Sequence, residues 1–116
     1  MFTVEYYELP NGVKPVEQFI DSLEQKMQSK ALASIVMLKT YGNTIREPYS
    51  KPVGNGIFEL RIKFASDITR IFYFFHAGNK IVVTNGFVKK TQKTPPKEIA
   101  LAIKYKTDYE RRDKNG

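Results

Sequence analysis

The sequence contains no cysteine and no tryptophan, and one histidine, His76, among its 116 residues. Without cysteine the chain has no disulfide, no thiolate nucleophile and no zinc site of the usual thiolate-rich kind. A single histidine leaves little scope for a transition-metal site, and no Gly-x-Ser-x-Gly motif points to a hydrolytic triad. We therefore expect a protein that uses neither a metal nor any other cofactor.

Long hydrophobic runs are missing as well, and the apolar runs that occur are far shorter than the roughly 20 residues that span a membrane. The first residues form a strand-like segment rather than the charged and then hydrophobic start of a signal peptide. We expect a cytoplasmic protein with no membrane segment. The length, with 41% hydrophobic residues, predicts one domain spanning residues 1–116.

The sequence has fewer acidic than basic residues. The chain has 19 lysines and arginines against 12 acidic residues, which gives a net charge of +7, and most of the cations lie in the second half. Such a balance indicates a polyanionic partner such as nucleic acid. Many small basic proteins bind no nucleic acid, however, so the placement of the cations has to decide.

Three consecutive strands are predicted at residues 57–64, 68–75 and 80–88. The first alternates between apolar and polar side chains, which is typical of a strand with one wet face. The other two are apolar on nearly both faces, so we predict that they are central in the sheet.

The turns between these strands predict which side chains share a face. An even-length connection after the first strand and a two-residue turn at Gly78 and Asn79 place Lys63 and Phe87 opposite Arg70, with Arg61 one diagonal away. One face is then predicted to be core. The other, wet face is predicted to carry Glu59, Arg61, Lys63, Arg70, Asn85, Phe87 and Lys89.

The first half of the chain predicts a strand at residues 2–8 followed by two helices. Pro15 suits the first turn of a helix whose apolar stripe continues as far as Met27. Ser29 is predicted to cap a second helix, which ends near Gly42.

Residues 44–55 predict a polar loop that carries Tyr49 and Lys51, and Thr94 is predicted to cap a last helix. From about residue 109 the chain is charged and predicted to fray. The element order is then β-α-α-β-β-β-α. We predict an α+β domain in which a helical hairpin packs on one face of a small, mainly antiparallel sheet.

A cluster of cations on one sheet face is suited to cleaving RNA. The 2′-hydroxyl of RNA is itself a nucleophile, so an enzyme has to orient it, accept its proton and neutralise the developing charge. Arg61 and Arg70 are predicted to serve the phosphate. The proton acceptor is either a lysine of lowered pKa or Glu59, and Phe87 or Tyr49 is predicted to stack on a base.

A purely structural interpretation exists for each of these residues. Arg61 and Lys63 have the character of solvated charges on an edge-like strand, Phe87 suits a packed position, and His76 suits a solvated turn. Arg70 is harder to explain in this way, because it interrupts an otherwise apolar central strand, where a charge needs a partner or a function.

Residues 56–61, 70–73 and 85–95 carry a family resemblance. These stretches, and above all the string Phe-Val-Lys-Lys-Thr-x-Lys-Thr-Pro within the last of them, resemble the RelE/HigB toxins of bacterial type II toxin–antitoxin systems, and most of all their phage-derived, HigB-like branch. The order of predicted elements agrees over nearly the whole chain.

The resemblance implies a compact, microbial-ribonuclease-like fold that cleaves mRNA on the ribosome and is neutralised by a HigA-like antitoxin with a helix-turn-helix domain. The catalytic cations of RelE-like toxins correspond to Arg61 and Lys63, then Arg70, then Lys89 or Lys90. The chain departs from the best-known RelE enzymes in having Thr94-Pro95-Pro96 where they carry a catalytic tyrosine.

Two hypotheses of different classes follow. The preferred one is a ribosome-dependent, metal-independent endoribonuclease, and the alternative is a non-catalytic basic module that binds RNA or protein. For the preferred hypothesis the predicted catalytic residues are Glu59, Arg61, Lys63, Arg70 and Lys90. The predicted RNA-binding residues are Tyr49, Lys51, Phe87, Lys89 and Lys93.

Overall fold

The computed structural model describes residues 1–90 and 93–115, so Thr91 and Gln92 of the resemblance motif and the terminal Gly116 lie outside the described residues. The strands are β1 (Thr3–Tyr6), β2 (Ser50–Gly54), β3 (Ile57–Phe64), β4 (Asp67–His76) and β5 (Lys80–Val88). The helices are α1 (Pro15–Asp21), α2 (Gln25–Tyr41) and α3 (Pro96–Asn115), with a 3₁₀ turn at Gly42–Thr44.

The five strands form one sheet in the order β1-β5-β4-β3-β2. β1 runs parallel to β5, and every other neighbouring pair is antiparallel. The helices α1 and α2 cover one face of the sheet, and α3 packs on the other. The predicted α+β class, with a helical hairpin on one face of a mainly antiparallel sheet, is confirmed.

The face under α1 and α2 is the larger of the two apolar layers. Alternate residues of β3 and β4, such as Leu60 and Ile71, meet Val16 of α1 and Leu38 of α2, and all four side chains are fully buried. The ring of Phe19 approaches β5 so closely that a Cβ at Gly86 would lie 2.5 Å from it. Glycine at position 86 therefore lets α1 pack directly on the central strands.

The second face is not the wet face that the strand pattern predicts. α3 covers it with Ala102 and its neighbours, and buries Ile57, Phe72 and Phe74 completely. Because α3 is amphipathic, it brings its apolar stripe to this face and leaves the charged residues of β3 and β4 at the margin of the covered area. The prediction of an open cationic face was wrong in this respect.

The register between β3 and β4 is shifted from the predicted one, so that Arg61 instead of Lys63 lies opposite Arg70. The connecting loop is the two residues Ala65 and Ser66, an even length as predicted, and it pairs Arg61 directly with Arg70. Lys63 pairs with Ile68, so its predicted position opposite Arg70 was wrong. The predicted pairing of Phe87 with Arg70 is confirmed.

A β-bulge in β5 turns the side chains in the first half of the strand to the sheet face opposite to the predicted one. Ile71 pairs with Gly86 and Tyr73 with Val83, so two residues of β5, Thr84 and Asn85, lie opposite the single residue Phe72. Val82 therefore packs under α3 instead of on the predicted core face. The Asn85 amide donates a hydrogen bond to the Glu98 carbonyl of α3 at 3.2 Å, so the bulge also helps to hold the helix.

Two boundaries in the first half differ from the prediction. Residues 44–55 contain the edge strand β2, in which Pro52 is tolerated because an edge strand has unpaired donors. The first helix ends at Asp21, so Met27 belongs to α2 and Ser29 lies inside that helix instead of capping it.

α3 extends as helix to Asn115 and so includes the segment from about residue 109 for which the sequence predicts fraying, and that fraying stays a prediction. Tyr109 donates to Glu5, and Asp113 accepts from His76 at 2.9 Å, so residues of β1 and of β4 both contact the last turns of the helix. His76 is accordingly half-buried rather than the solvated turn residue predicted. Within the described residues no helix is long and apolar enough to cross a membrane.

Candidate functional site

A buried carboxylate organises the cations of the second sheet face. Glu59 in β3 is 1% exposed, and its Oε1 lies 3.0 Å from Arg70 Nε and 3.5 Å from Arg61 Nε. Its other oxygen accepts a hydrogen bond from the Thr94 hydroxyl. Both oxygens are thus engaged, as burial of a carboxylate requires. We call Glu59, Arg61, Arg70 and Lys89 the cation cluster, with Glu59 as its anionic centre.

Arg70 is the most buried cation of the cluster, at 7% exposure. Burial lowers the pKa of its guanidinium; the Glu59 carboxylate opposes that shift and the charge of Arg61 adds to it. Arginine nevertheless stays charged, so Arg70 is a fixed positive charge. Its Nε contact to Glu59 is an ion pair and not an aligned hydrogen bond, because among the described residues the buried Nε meets no acceptor at a bonding angle.

Arg61 is the accessible guanidinium of the pair, with 27% of its side chain exposed. Cross-strand pairing sets it against Arg70, and like charges in that position repel. The Glu59 carboxylate lies within reach of both and offsets the repulsion. The result is two guanidinium groups held close together, one of them facing solvent.

Lys89 follows β5 and completes the cluster. Its backbone N–H donates to the Ile68 carbonyl at 2.8 Å, which extends the β4–β5 pairing and fixes the position of the residue. Burial lowers the pKa of the Lys89 ammonium, and the nearby charges of Arg70, Arg61 and Lys51 lower it further against the opposing Glu59. A lysine of lowered pKa supplies more of the neutral amine that accepts a proton.

Most of the other predicted site residues lie on the exposed margin. Lys51 pairs with Glu59 from the edge strand β2, and Tyr49, 57% exposed, accepts a backbone hydrogen bond from Arg61 at 2.8 Å. Exposed cations on the neighbouring segments are Lys63, Lys90 and Lys93.

Phe87 has a different environment from Tyr49. It is 9% exposed, and its ring stacks on Phe72 with centroids 5.7 Å apart. Of the two aromatic residues predicted to stack on a base, Tyr49 is therefore the exposed one.

Thr94 also belongs to the site, although the sequence predicts it as the cap of the last helix. α3 begins at Pro96, and the Thr94 hydroxyl donates to Glu59 instead of capping the helix. A threonine just before two prolines and a helix has the pattern of a cap, so the long-range partner in β3 gave no local signal.

Across residues 1–90 and 93–115 no group of three histidine, aspartate or glutamate side chains is arranged to hold an ion. The groups that the described site offers are fixed cations, one lysine of lowered pKa and an exposed aromatic ring.

The fold and site together define a small α+β domain that presents clustered cations at the margin of a helix-covered sheet face. The chain belongs to the phage-derived Gp49-like protein family (DUF891), whose model matches residues 18–107. This is a family of RelE/HigB-like toxins, so the resemblance seen in the sequence is confirmed at that level. The matched range includes every residue of the cation cluster. No curated protein is significantly similar to the chain.

Proposed function

We propose that the protein is the HigB-like toxin of a type II toxin–antitoxin system and acts as a ribosome-dependent, metal-independent endoribonuclease on mRNA. The observation that carries this proposal is the buried Glu59, which holds two guanidinium groups beside a lysine of lowered pKa. Membership of a toxin family supports the toxin role.

The reaction requires little beyond these groups. The 2′-hydroxyl attacks the adjacent phosphorus, a base accepts its proton, cations stabilise the phosphorane, and an acid protonates the leaving 5′-oxygen. Fixed positive charges at the phosphate take the place that a metal ion would otherwise fill. The products of this route are a 2′,3′-cyclic phosphate and a 5′-hydroxyl.

Each role is proposed from accessibility and charge. Arg61 contacts the phosphate because it is the exposed guanidinium, and Arg70 adds a second, more buried positive charge behind it. Lys89 is the proton acceptor because its pKa is lowered. Glu59 positions the two arginines rather than accepting a proton, since both of its oxygens already have partners.

The exposed residues at the margin are proposed to hold the RNA strand. Lys63 and Lys90 are candidates to protonate the leaving oxygen, and Lys51 and Lys93 bind phosphates. Tyr49 stacks on a splayed base. Since these residues lie on an open surface, the ribosome would have to supply much of the in-line orientation of mRNA, which explains the proposed dependence on it.

The proposed antitoxin is a HigA-like helix-turn-helix protein. The net charge of +7 suits a partner with an acidic face. Such a partner would be encoded beside the toxin and would restore the growth of cells that produce it.

The alternative, a non-catalytic basic module on the same fold, is favoured by one observation. Arg70 is 7% exposed and ion-paired, as expected of a purely structural pair. Arg61 separates the two proposals, because it is accessible and its removal leaves the buried pair intact.

The test is mRNA cleavage on translating ribosomes with purified protein. The parent should cleave, and Arg61→Ala should be folded and strongly impaired. Lys26→Ala removes an exposed lysine from α2, on the other face of the sheet, and serves as the matched control that should cleave like the parent. A folded parent that binds ribosomes without cleaving would instead favour the non-catalytic module.

A further inference from the structure

A second basic surface lies along α3, outside the cation cluster. Lys97, Lys104 and Arg111 are spaced seven residues apart and are all exposed, so they lie on one side of the helix. The helix starts two residues after Thr94, which contacts Glu59. At 1.5 Å per residue, the line from Lys97 to Arg111 is about 21 Å long and leads away from the cluster.

A cleft of about 590 Å³ opens beside the far end of this line. Its walls are Tyr105, Lys104 and Arg111 of α3 on one side, and Tyr7, Leu9 and Pro10 at the exit of β1 on the other. The cleft therefore combines aromatic and apolar surface with two exposed cations. This is the composition that single-stranded nucleic acid needs, since phosphates require charge and bases require a stacking surface.

The residues in the walls of the cleft contact one another. The Tyr105 ring stacks on Tyr7 with centroids 4.5 Å apart, and the Tyr7 hydroxyl donates to Asp108 at 2.6 Å. Arg112 binds the same carboxylate at 2.7 Å and lies over the Tyr7 ring. A preformed cleft of this kind loses little conformational entropy on binding.

The acidic residue in the cleft does not oppose an anionic ligand strongly. The hydrogen bond from the Tyr7 hydroxyl lowers the pKa of Asp108 most, against the opposing effect of burial, and Arg111 and Arg112 lower it further, so the Tyr7 hydroxyl and Arg112 still offset the carboxylate when Arg111 leaves it. Arg111 pairs with Asp108 at 3.2 Å, but 70% of its side chain is exposed. Exposed ion pairs are weak, so Arg111 is free to exchange this contact for a phosphate.

We propose that this cleft is a second RNA subsite, in which Lys104 and Arg111 bind phosphates and a base lies against Tyr105. The proposal rests on the proposed ribonuclease function, because it extends the path of an RNA strand from the cation cluster along α3. The RNA is either the mRNA itself or ribosomal RNA next to it. A protein partner is the competing occupant that the experiment has to exclude.

The experiment measures binding to two RNA probes that the protein cannot cleave or that carry no substrate. One is a fluorescent 2′-O-methyl oligonucleotide, which lacks the nucleophile, and the other is bacterial ribosomes without mRNA. The variant is Lys104→Ala/Arg111→Ala. The control is Lys26→Ala/Lys30→Ala, which removes the same charge from exposed positions of α2.

We expect the double variant at the cleft to lower the slope of log affinity against log salt by about 1.4, since each single-strand phosphate contributes about 0.7. The control should keep the parental slope on the probe that responds. A loss seen with the oligonucleotide assigns the subsite to the mRNA strand, and a loss seen with ribosomes alone assigns it to ribosomal RNA.

Photo-crosslinking identifies the peptides that contact the RNA, which a change in overall charge would not alter. A responding RNA that carries 4-thiouridine should crosslink to the peptide containing Tyr105 or to that containing Tyr7. Parental slopes with both probes, or an equal loss in the control, would overturn the proposal. So would crosslinks confined to the cation cluster, or a variant that keeps RNA binding and loses the antitoxin. Failure of the parent to cleave mRNA would count against the ribonuclease proposal alone, because neither probe is a substrate.

Discussion

Glu59→Gln tests how the cation cluster is held together. Glutamine keeps the shape of the side chain, and its amide oxygen still accepts the Thr94 hydroxyl. The substitution removes the charge between Arg70 and Arg61 and turns an amide N–H donor toward the two guanidinium groups, in the place of the Oε1 atom that contacts both of them. What remains is a guanidinium at 7% exposure, paired across the strands with a second one.

The expected loss of stability is large for a single isosteric change. Removing one partner of a buried ion pair typically destabilises a protein by about 3–5 kcal/mol. For a domain of this size that corresponds to a fall of roughly 10–20 °C in melting temperature. The matched control is Glu110→Gln, which breaks the exposed Glu110–Lys106 pair of α3 and should change stability by less than about 0.5 kcal/mol.

Thermal melting and urea denaturation of both variants provide the measurement. A double-mutant cycle with Glu59→Leu and Arg70→Met adds a second criterion, since replacing both charges with apolar groups should cost much less than the sum of the single changes. A Glu59→Gln protein that melts like the parent would refute the view that this carboxylate holds the arginines in place.

Three further predictions concern activity and pH. Arg61→Ala should lower the rate of mRNA cleavage by about 10²–10³-fold without unfolding the protein. Arg61→Lys should keep only part of the parental rate, because an ammonium lacks the planar, forked donors of a guanidinium. Single-turnover cleavage measures both rates. If Lys89 accepts the proton, kcat/KM should rise with pH as the Lys89 ammonium loses its proton, and this rise should lie below the ordinary lysine pKa of 10.5 because the pKa of Lys89 is lowered. Lys89→Arg should abolish the rise. A flat pH profile in the parent would count against Lys89. Burial and the hydrogen bond to Asp108 raise the pKa of Tyr7 from 10.0 to about 12, so the native state favours the neutral phenol, and the resulting stability is present below pH 10 and lost between about pH 10 and 12. Urea denaturation should show this loss in the parent and a smaller one in Tyr7→Phe, and equal losses would contradict it.

The sheet was the part of the fold most open to prediction. The alternation in Ile57–Phe64 and the turn residues after each strand depend on local geometry, so they predict three of the four consecutive strands from β2 to β5. The sequence predicts a loop where β2 lies, because proline and glycine usually interrupt strands, although an edge strand tolerates them. The break between α1 and α2 was misplaced because the apolar stripe continues across it.

The sequence predicts the candidate site as a set of charges, but it does not predict how those charges are arranged. Arg70 stood out because it interrupts an apolar strand. The bulge at Thr84 and Asn85, and the side of the sheet that α3 covers, depend on long-range packing that no local pattern encodes. Hence the burial of Glu59 and the packing of Phe87 came only with the structure.

The most direct test of the proposed chemistry is the structure of the ends that cleavage leaves on ribosome-bound mRNA. The proposed route uses the 2′-hydroxyl as nucleophile and predicts a 2′,3′-cyclic phosphate on one fragment and a 5′-hydroxyl on the other. It also predicts that a single 2′-deoxy substitution at the cleaved position blocks the reaction, and that Arg61→Ala yields little of either product. Fragments with 5′-phosphate ends, or normal cleavage of the 2′-deoxy mRNA, would contradict it.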